Sequence, residues 1–200
     1  MSFAGSQALV GQVREGVPAD LVLLADASFA SDLHRARLVR EPRVFARSRI
    51  VWISALDAGG EPRLRRRDLG RRPARLVLAA PSVPAGAYAR RALSQLGQLS
   101  AAETSLVSRE LDVRGVLTKV AMGEADAGMV YATDARLAAD RIWVEELPGT
   151  VRVEARYAGA VLARSRAGPH AASWLSRLAG PEGCQVLRRH GFGCAKRTTP

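Results

Sequence analysis

Small, hydroxyl-bearing or acidic residues stand at several predicted helix starts, and such positions can bind an anion. The segments are Gly5-Ser6, Ser82–Gly86, Asp112-Val113 and, at the end of a strand-like run, Tyr131–Asp134. A helix N-terminus offers unpaired backbone N–H groups and the positive end of the helix dipole. Several such ends that converge can therefore bind an anion without any charged side chain. Because every helix needs a cap, one such start taken alone indicates only a cap.

Residues for other kinds of chemistry are scattered. The three histidines, His34, His170 and His190, are isolated in the sequence, and the acidic residues form no evident pair. The chain contains no P-loop, no dinucleotide-binding glycine motif, no nucleophile elbow and no zinc-binding helix pair. We therefore expect no catalytic residue, no metal-ion site and no cofactor, and a protein that is not an enzyme.

Cys184 and Cys194 are the only cysteines, and their spacing fits no metal motif. Two interpretations stay open. The two thiols are free and partly buried, or they form one disulfide that ties the last predicted helix to the C-terminal tail. The second requires an oxidising compartment.

The elements that must position these residues alternate between strand and helix. Hydrophobic spacing predicts helices over 7–15, 28–36, 87–96, 112–122, 133–139, 169–178 and 181–190. Apolar runs predict strands over 20–25, 49–54, 75–80, 127–131, 142–147 and 157–163. Continuous apolar strands that alternate with helices predict an α/β fold with a largely parallel sheet.

The charge of the chain is concentrated in one stretch. The 200 residues carry 30 basic and 19 acidic side chains, a net charge of +11. Thirteen arginines lie between Arg35 and Arg75 against four acidic residues, and the densest part is Arg63–Arg75. Glycine and proline interrupt that part and it has no aromatic residue, which favours a solvated loop over a nucleic-acid site. Nucleic-acid binding through Arg63–Arg75 remains an alternative.

Five motifs in order resemble a known family. They are Phe3-Ala-Gly-Ser6, Pro18-Ala-Asp20, Val83-Pro-Ala-Gly86, Asp112-Val113-Arg114 and Gly128–Asp134, with a matching tail of Gly180-Pro181, Gln185 and Gly191-Phe192. Their order and spacing resemble the periplasmic molybdate-binding proteins of bacterial ABC transporters along almost the whole chain.

This resemblance implies a type II periplasmic-binding fold, in which two α/β lobes joined by two crossover segments hold the ligand between them. Lobe 1 would comprise residues 1–49 and 157–200, and lobe 2 residues 50–156. The resemblance also implies a molybdate or tungstate site at four positions: Ser6, Ala85, Val113 and Tyr131. The ligand is an oxyanion, so molybdenum would not be bound as a cation. The implied partner is the membrane permease of an ABC importer, and we expect a periplasmic monomer that binds no nucleic acid.

One departure from the family concerns the start of the chain. Met1-Ser2 stands directly before the Phe3-Ala-Gly-Ser6 motif, where the family has an earlier strand, a helix and a further ligand serine. From this we expect a first lobe that is incomplete at its N-terminus, without a signal peptide, and impaired binding by these 200 residues. A truncated relic and a cytoplasmic oxyanion-sensing module are the corresponding alternatives.

Overall fold

The computed structural model describes residues 1–195, and the chain divides into two compact units. Unit 1 comprises Met1–Ser48 and Ala155–Pro200, and unit 2 comprises Arg49–Glu154. The two lobes expected from the sequence have boundaries within two residues of these, after residues 49 and 156. That the units act as the lobes of a binding protein remains a prediction.

The helices and strands of residues 1–195 follow one another in mixed order. They are α1 (Ser6–Arg14), β1 (Leu21–Leu24), α2 (Ala27–Arg35), β2 (Arg43–Ala55), β3 (Leu76–Ala79), α3 (Pro84–Gln95), α4 (Leu99–Thr104), β4 (Leu106–Glu110), α5 (Val113–Ala121), β5 (Ala127–Tyr131), α6 (Ala132–Ala135), β6 (Ile142–Glu145), β7 (Glu154–Val161), α7 (Gly168–Ala179), α8 (Pro181–Arg189) and β8 (Gly193–Cys194). Short 3₁₀ turns cover Arg66–Asp68 and Arg136–Ala138.

Unit 1 is built around antiparallel strands. β1 pairs with β7, so that Leu21 lies opposite Val161, and the first half of β2 pairs with β8. The core forms where the apolar faces of α1 and α2 pack on β1 and β7. Its buried residues are Val10, Val13, Val22, Leu24, Ala30, Leu33, Val39, Ala158, Ala160 and Leu162. Burial of this apolar surface is the main force that holds the unit together.

Unit 2 contains the parallel part of the fold. β3 lies between β4 and β5 and is parallel to both, whereas the second half of β2 is antiparallel to β5 and to β6. All residues of β3 and β5 are buried, as expected for strands covered on both faces. The expectation of a largely parallel sheet was therefore wrong. The long strand β2 is antiparallel to each of its partners, β8, β5 and β6. Local hydrophobic pattern does not specify the direction of these pairings.

Helix α3 begins three residues earlier than predicted. Its first residue is Pro84 rather than Ala87, with Val83 as the N-cap. Proline suits the first helical position because its fixed φ matches the helix and that position needs no N–H donor. Ala85 therefore lies inside the first turn of α3, not in the loop before it.

A disulfide joins Cys184 of α8 to Cys194 of β8, with their Cα atoms 5.2 Å apart. Of the two interpretations of the cysteines, the disulfide is the one the structure contains. Within residues 1–195, no helix has both the length and the apolar content needed to cross a membrane.

Candidate functional site

Three of the four predicted ligand positions lie at one edge of the sheet in unit 2. β3, β4 and β5 are mutually parallel, so their carboxyl ends point in the same direction. The loop after β3 leads to Ala85, the loop after β4 leads to Val113, and Tyr131 is the last residue of β5. In open α/β sheets, ligands bind outside the carboxyl ends of the strands. The fold thus brings these three positions to the edge where a ligand is expected.

Ala85 supplies the first free backbone donor of α3. Pro84 has no N–H group, and the N–H of Val83 already donates to the carbonyl of Ala80 at 2.9 Å. The N–H groups in the first turn of a helix have no acceptor inside the helix. The Ala85 N–H therefore carries the positive end of the α3 dipole.

Gly86 allows α3 to begin directly against the end of β3. A Cβ atom at this position would collide with the carbonyl oxygens of Ala79 and Ala80. Arg90, one turn further on, donates to the same region: its Nη1 lies 2.9 Å from the Ala79 carbonyl oxygen and 3.3 Å from that of Gly86. The start of α3 is therefore fixed by a close backbone approach and by one arginine.

Helix α5 presents its first two backbone donors in the same way. Its N-cap Asp112 accepts the N–H of Gly115 at 2.9 Å, which satisfies one of the unpaired donors of the first turn. The N–H groups of Val113 and Arg114 have no acceptor within the helix. An oxyanion can be bound by these donors.

The far end of α5 is fixed to β4 by an ion pair. Lys119 Nζ lies 2.7 Å from Glu110 Oε1 and donates to Ser108 Oγ at 2.9 Å. Burial by itself raises the pKa of Glu110, but hydrogen bonds from Lys119 and Ser108 outweigh it and hold that pKa below its ordinary value. The pair holds α5, and with it Val113, against the end of β4.

Tyr131 is buried and its ring packs edge-on against Tyr88 of α3, with centroids 6.4 Å apart. Edge-to-face contacts of this kind stabilise a defined ring orientation. Tyr88 was not among the predicted site residues. Its spacing contains the indication, because it lies three residues after Ala85 and so on the same side of the helix.

Asp134, in the first turn of α6, places a carboxylate near these donors. Burial raises its pKa to about 6, opposed by the positive charge of Arg114 and reinforced by the negative charge of Asp112. The charges of Arg114 and Asp112, both at the start of α5, thus act on the carboxyl of Asp134. Sequence reasoning missed Asp134 as a titrating group, because the burial that shifts its pKa comes from tertiary packing.

Ser6 lies in unit 1 as the first residue of α1, and it is buried. Its Oγ accepts the N–H of Ala25 at 2.9 Å, directly after β1. A hydroxyl that accepts one hydrogen bond keeps its own O–H available to donate. Ser6 therefore has both a structural contact and a proton to offer an anion.

Residues 1–195 contain no cluster of three or more histidine, cysteine, aspartate or glutamate side chains that could hold a metal ion. His34 is partly exposed at the surface, where its Nε2 lies 3.1 Å from Glu41 and its Nδ1 lies 3.2 Å from the Val39 carbonyl oxygen.

Comparison with known proteins identifies the family of this chain. Residues 1–193 match the family model of the bacterial extracellular solute-binding proteins. The chain belongs to this family. The molybdate-binding protein ModA of Mycobacterium tuberculosis strain H37Rv is 34% identical over 193 residues, which cover 96% of this chain and 72% of that relative.

Solved structures of other solute-binding proteins share the fold. A periplasmic molybdate-binding protein from Azotobacter vinelandii matches with a TM-score of 0.81 at 20% identity, covering 98% of this chain and 87% of that one. The sulfate-binding protein SubI from Mycobacterium tuberculosis H37Rv matches with a TM-score of 0.76 at 16% identity, covering 96% of this chain and 75% of that one. At these identities the likeness establishes the fold, which is that of a periplasmic solute-binding protein.

Proposed function

We propose that this solute-binding protein binds molybdate or tungstate and delivers it to the membrane permease of an ABC importer. The observation that carries the proposal is the convergence of neutral donors at the sheet edge of unit 2. The backbone N–H groups of Ala85 and Val113 and the hydroxyl of Tyr131 are three of the four proposed donors. The Ser6 hydroxyl is the fourth.

The donor set suits a fully deprotonated tetrahedral oxyanion. Such an ion has only acceptor oxygens, so N–H and O–H groups satisfy it without any proton transfer. A buried anion is costly unless it is hydrogen-bonded, and the two helix dipoles offset its charge. Sulfate has the same charge and shape but is smaller. The spacing of the donors therefore determines whether the site prefers sulfate or the larger molybdate and tungstate.

The disulfide supports an extracytoplasmic location. Disulfides persist in oxidising compartments and are rare in the cytosol. The Cys184–Cys194 bond is therefore consistent with the extracellular family to which the chain belongs. Neither observation favours the cytoplasmic oxyanion-sensing module.

Calorimetric titration with sodium molybdate, sodium tungstate and sodium sulfate tests the proposal. We expect comparable affinities for molybdate and tungstate and a much weaker one for sulfate. Replacing Ser6 by alanine removes one hydrogen bond to a charged ligand, which is worth about 1.5–3 kcal/mol, or about a tenfold to hundredfold loss of affinity.

Ser31→Ala is the matched control, because Ser31 is an exposed serine of α2 whose hydroxyl donates only to the Ala27 carbonyl. It should leave the molybdate affinity unchanged. An affinity for sulfate that equals or exceeds the affinity for molybdate would contradict the proposed ligand. Equal affinities in the Ser6→Ala and Ser31→Ala variants would remove Ser6 from the site.

A further inference from the structure

The loop between β2 and β3 is firmly attached to unit 2, although it is rich in arginine. Leu64 and Leu69 are buried, and the indole Nε1 of Trp52 donates to the Leu64 carbonyl at 3.0 Å. The Leu64 N–H donates to the buried Ser54 hydroxyl at 3.0 Å. The loop therefore displays its charged side chains from a fixed backbone.

Some of the loop arginines form contacts with the rest of unit 2 that stabilise this arrangement. Arg63 donates to the Gly123 carbonyl at 3.2 Å, and Arg66 donates to Gln98 at 2.8 Å and faces Glu145. Arg75 lies 3.3 Å from Asp126. These contacts fix the loop to the rest of unit 2.

Three further arginines of the loop lie at the surface of unit 2. Arg67, Arg71 and Arg72 are exposed; the side chain of Arg67 is 74% exposed and lies 4.0 Å from Asp68, and Arg72 donates to the Arg63 carbonyl. Segment 63–75 contains seven arginines and one acidic residue, Asp68. Three carboxylates from outside the segment, Glu61, Glu145 and Asp126, pair with it, so 7 − 4 leaves a net charge of +3 on the segment. Within residues 1–195, its arginines without an ion pair are Arg63, Arg71 and Arg72.

An exposed tryptophan borders this charge. The Arg65 guanidinium lies 5.0 Å from the ring centroid of Trp143, which is 37% exposed, and the next residue, Val144, is 38% exposed. Arginine and tryptophan are both favoured at the headgroup level of membranes, where a charged group meets phosphate and an indole meets the interface.

We propose that Arg67, Arg71 and Arg72, with Trp143 at their border, form a docking surface for the phosphate headgroups of an anionic lipid bilayer. We refer to these four residues as the arginine surface. Guanidinium groups bind phosphate through paired hydrogen bonds, and clustered arginines next to an anionic membrane each contribute about 1 kcal/mol. This inference concerns a different part of unit 2 from the oxyanion donors and does not depend on them.

A lipid surface fits this chemistry better than nucleic acid does. Single-stranded nucleic acids stack their bases on exposed aromatic faces. Segment 63–75 has no aromatic residue, and Arg65 lies over one face of the Trp143 ring. A bilayer needs only a cluster of positive charges on one face of the protein.

Co-sedimentation of the 200-residue chain with vesicles tests the proposal. The probes are vesicles of phosphatidylcholine alone and of phosphatidylcholine mixed with phosphatidylglycerol. We expect binding only to the anionic vesicles, lost in high salt because added ions screen exposed charges. Replacing Arg67, Arg71 and Arg72 together by glutamine should weaken the partition coefficient by about tenfold or more.

The matched control replaces three other exposed arginines, Arg14, Arg188 and Arg189, by glutamine, which changes the net charge by the same amount. It should bind anionic vesicles nearly as well as the unchanged chain, and both triple variants should keep the circular dichroism spectrum and the thermal unfolding midpoint of the unchanged chain as evidence of folding.

Two results would overturn the proposal. One is equal loss of vesicle binding in the two triple variants, because net charge alone would then explain it. The other is binding to a DNA duplex that is tighter than binding to anionic vesicles and sensitive to the loop variant, which would assign the surface to nucleic acid.

Discussion

The sheet edge and the arginine surface both belong to unit 2, and both suit negatively charged partners by opposite means. The edge offers backbone N–H groups and the buried hydroxyl of Tyr131, with no arginine or lysine side chain among its proposed donors. The arginine surface offers exposed positive charges that water and salt screen. Fixed neutral donors can fit one small anion closely, whereas exposed charges attract an extended anionic surface. High net charge therefore says little about where a small anion binds.

The largest expected effect comes from Gly86, whose replacement should damage the sheet edge and leave the arginine surface intact. In a Gly86→Ala variant the new methyl group collides with the carbonyl oxygens of Ala79 and Ala80, so the start of α3 must move. We expect a loss of molybdate affinity of about a hundredfold or more and a lower unfolding free energy by about 1–3 kcal/mol.

Gly11→Ala is the control for this change, because a Cβ at Gly11 meets no atom within 4 Å. It lies within α1 and should stabilise the protein slightly. If both variants keep full affinity in calorimetry, the close approach at α3 has no role in binding.

The next effect is that of the Tyr131 hydroxyl. Tyr131→Phe keeps the ring packed against Tyr88 but removes one proposed donor, so molybdate affinity should fall by about tenfold. Tyr157→Phe, in unit 1 and packed between Phe45 and Phe192, should not change the affinity. If the Tyr131→Phe variant binds molybdate as tightly as the unchanged chain, the Tyr131 hydroxyl is not a donor. The proposed donors at the sheet edge would then be backbone N–H groups only.

Asp134 gives the sheet edge a pH dependence that the arginine surface lacks. Its pKa is raised from an ordinary 3.8 to about 6, so the charged form is disfavoured in the folded state. The carboxyl therefore favours folding when protonated, and this contribution is lost as pH rises from about 4 through about 6. Asp134→Asn should raise the unfolding free energy at pH 7.5 by about 1–3 kcal/mol and have little effect at pH 4.

Denaturant unfolding at several pH values measures this difference. Asp140→Asn removes an exposed carboxylate and is the control. Its difference in unfolding free energy from the unchanged chain should not vary with pH in the way that of Asp134→Asn does. Matching profiles for the two variants would mean that Asp134 is not disfavoured in its charged form. The Asp134→Asn variant should also bind molybdate slightly more tightly at pH 7.5, because it removes a like charge near the anion.

The smallest effect is expected on molybdate affinity when the arginine surface is altered. Replacing Arg67, Arg71 and Arg72 by glutamine should change molybdate affinity by less than about twofold, because exposed charges are screened in ordinary salt. Calorimetry at two salt concentrations checks this. A large decrease in molybdate affinity would show that the loop charges contribute to molybdate binding.

Local pattern predicted the elements that are most regular and most buried. In α5, Val116, Leu117 and Val120 lie at helical spacing and are buried, and β5 has the predicted bounds. β4 was missed because it is an edge strand in which two apolar residues are followed by three polar ones, so Leu106–Glu110 has no strand-like hydrophobic pattern. Strand direction was wrong because pairings such as Leu21 with Val161 depend on residues far apart in the chain.

The candidate site was predicted only in part, for similar reasons. Helix starts can be recognised from caps and small residues, which indicated the segments that contain Ala85 and Val113. The individual ligand positions came from resemblance to a family. The shifted pKa of Asp134 depends on burial that tertiary structure supplies, so no local sequence pattern could reveal it. Tyr88 differs, because its helical spacing from Ala85 indicates that both lie on the same side of α3.

The division of the chain has a consequence for the order in which the protein folds during synthesis. Unit 2 is one continuous segment, whereas unit 1 needs β1 near the start of the chain and β7 more than a hundred residues later. Because domains generally fold as units while the chain is still being made, unit 2 can become compact before unit 1 is complete. Until β7 emerges, β1 lacks this hydrogen-bonding partner, and during that interval the nascent chain is most exposed to aggregation and to chaperones.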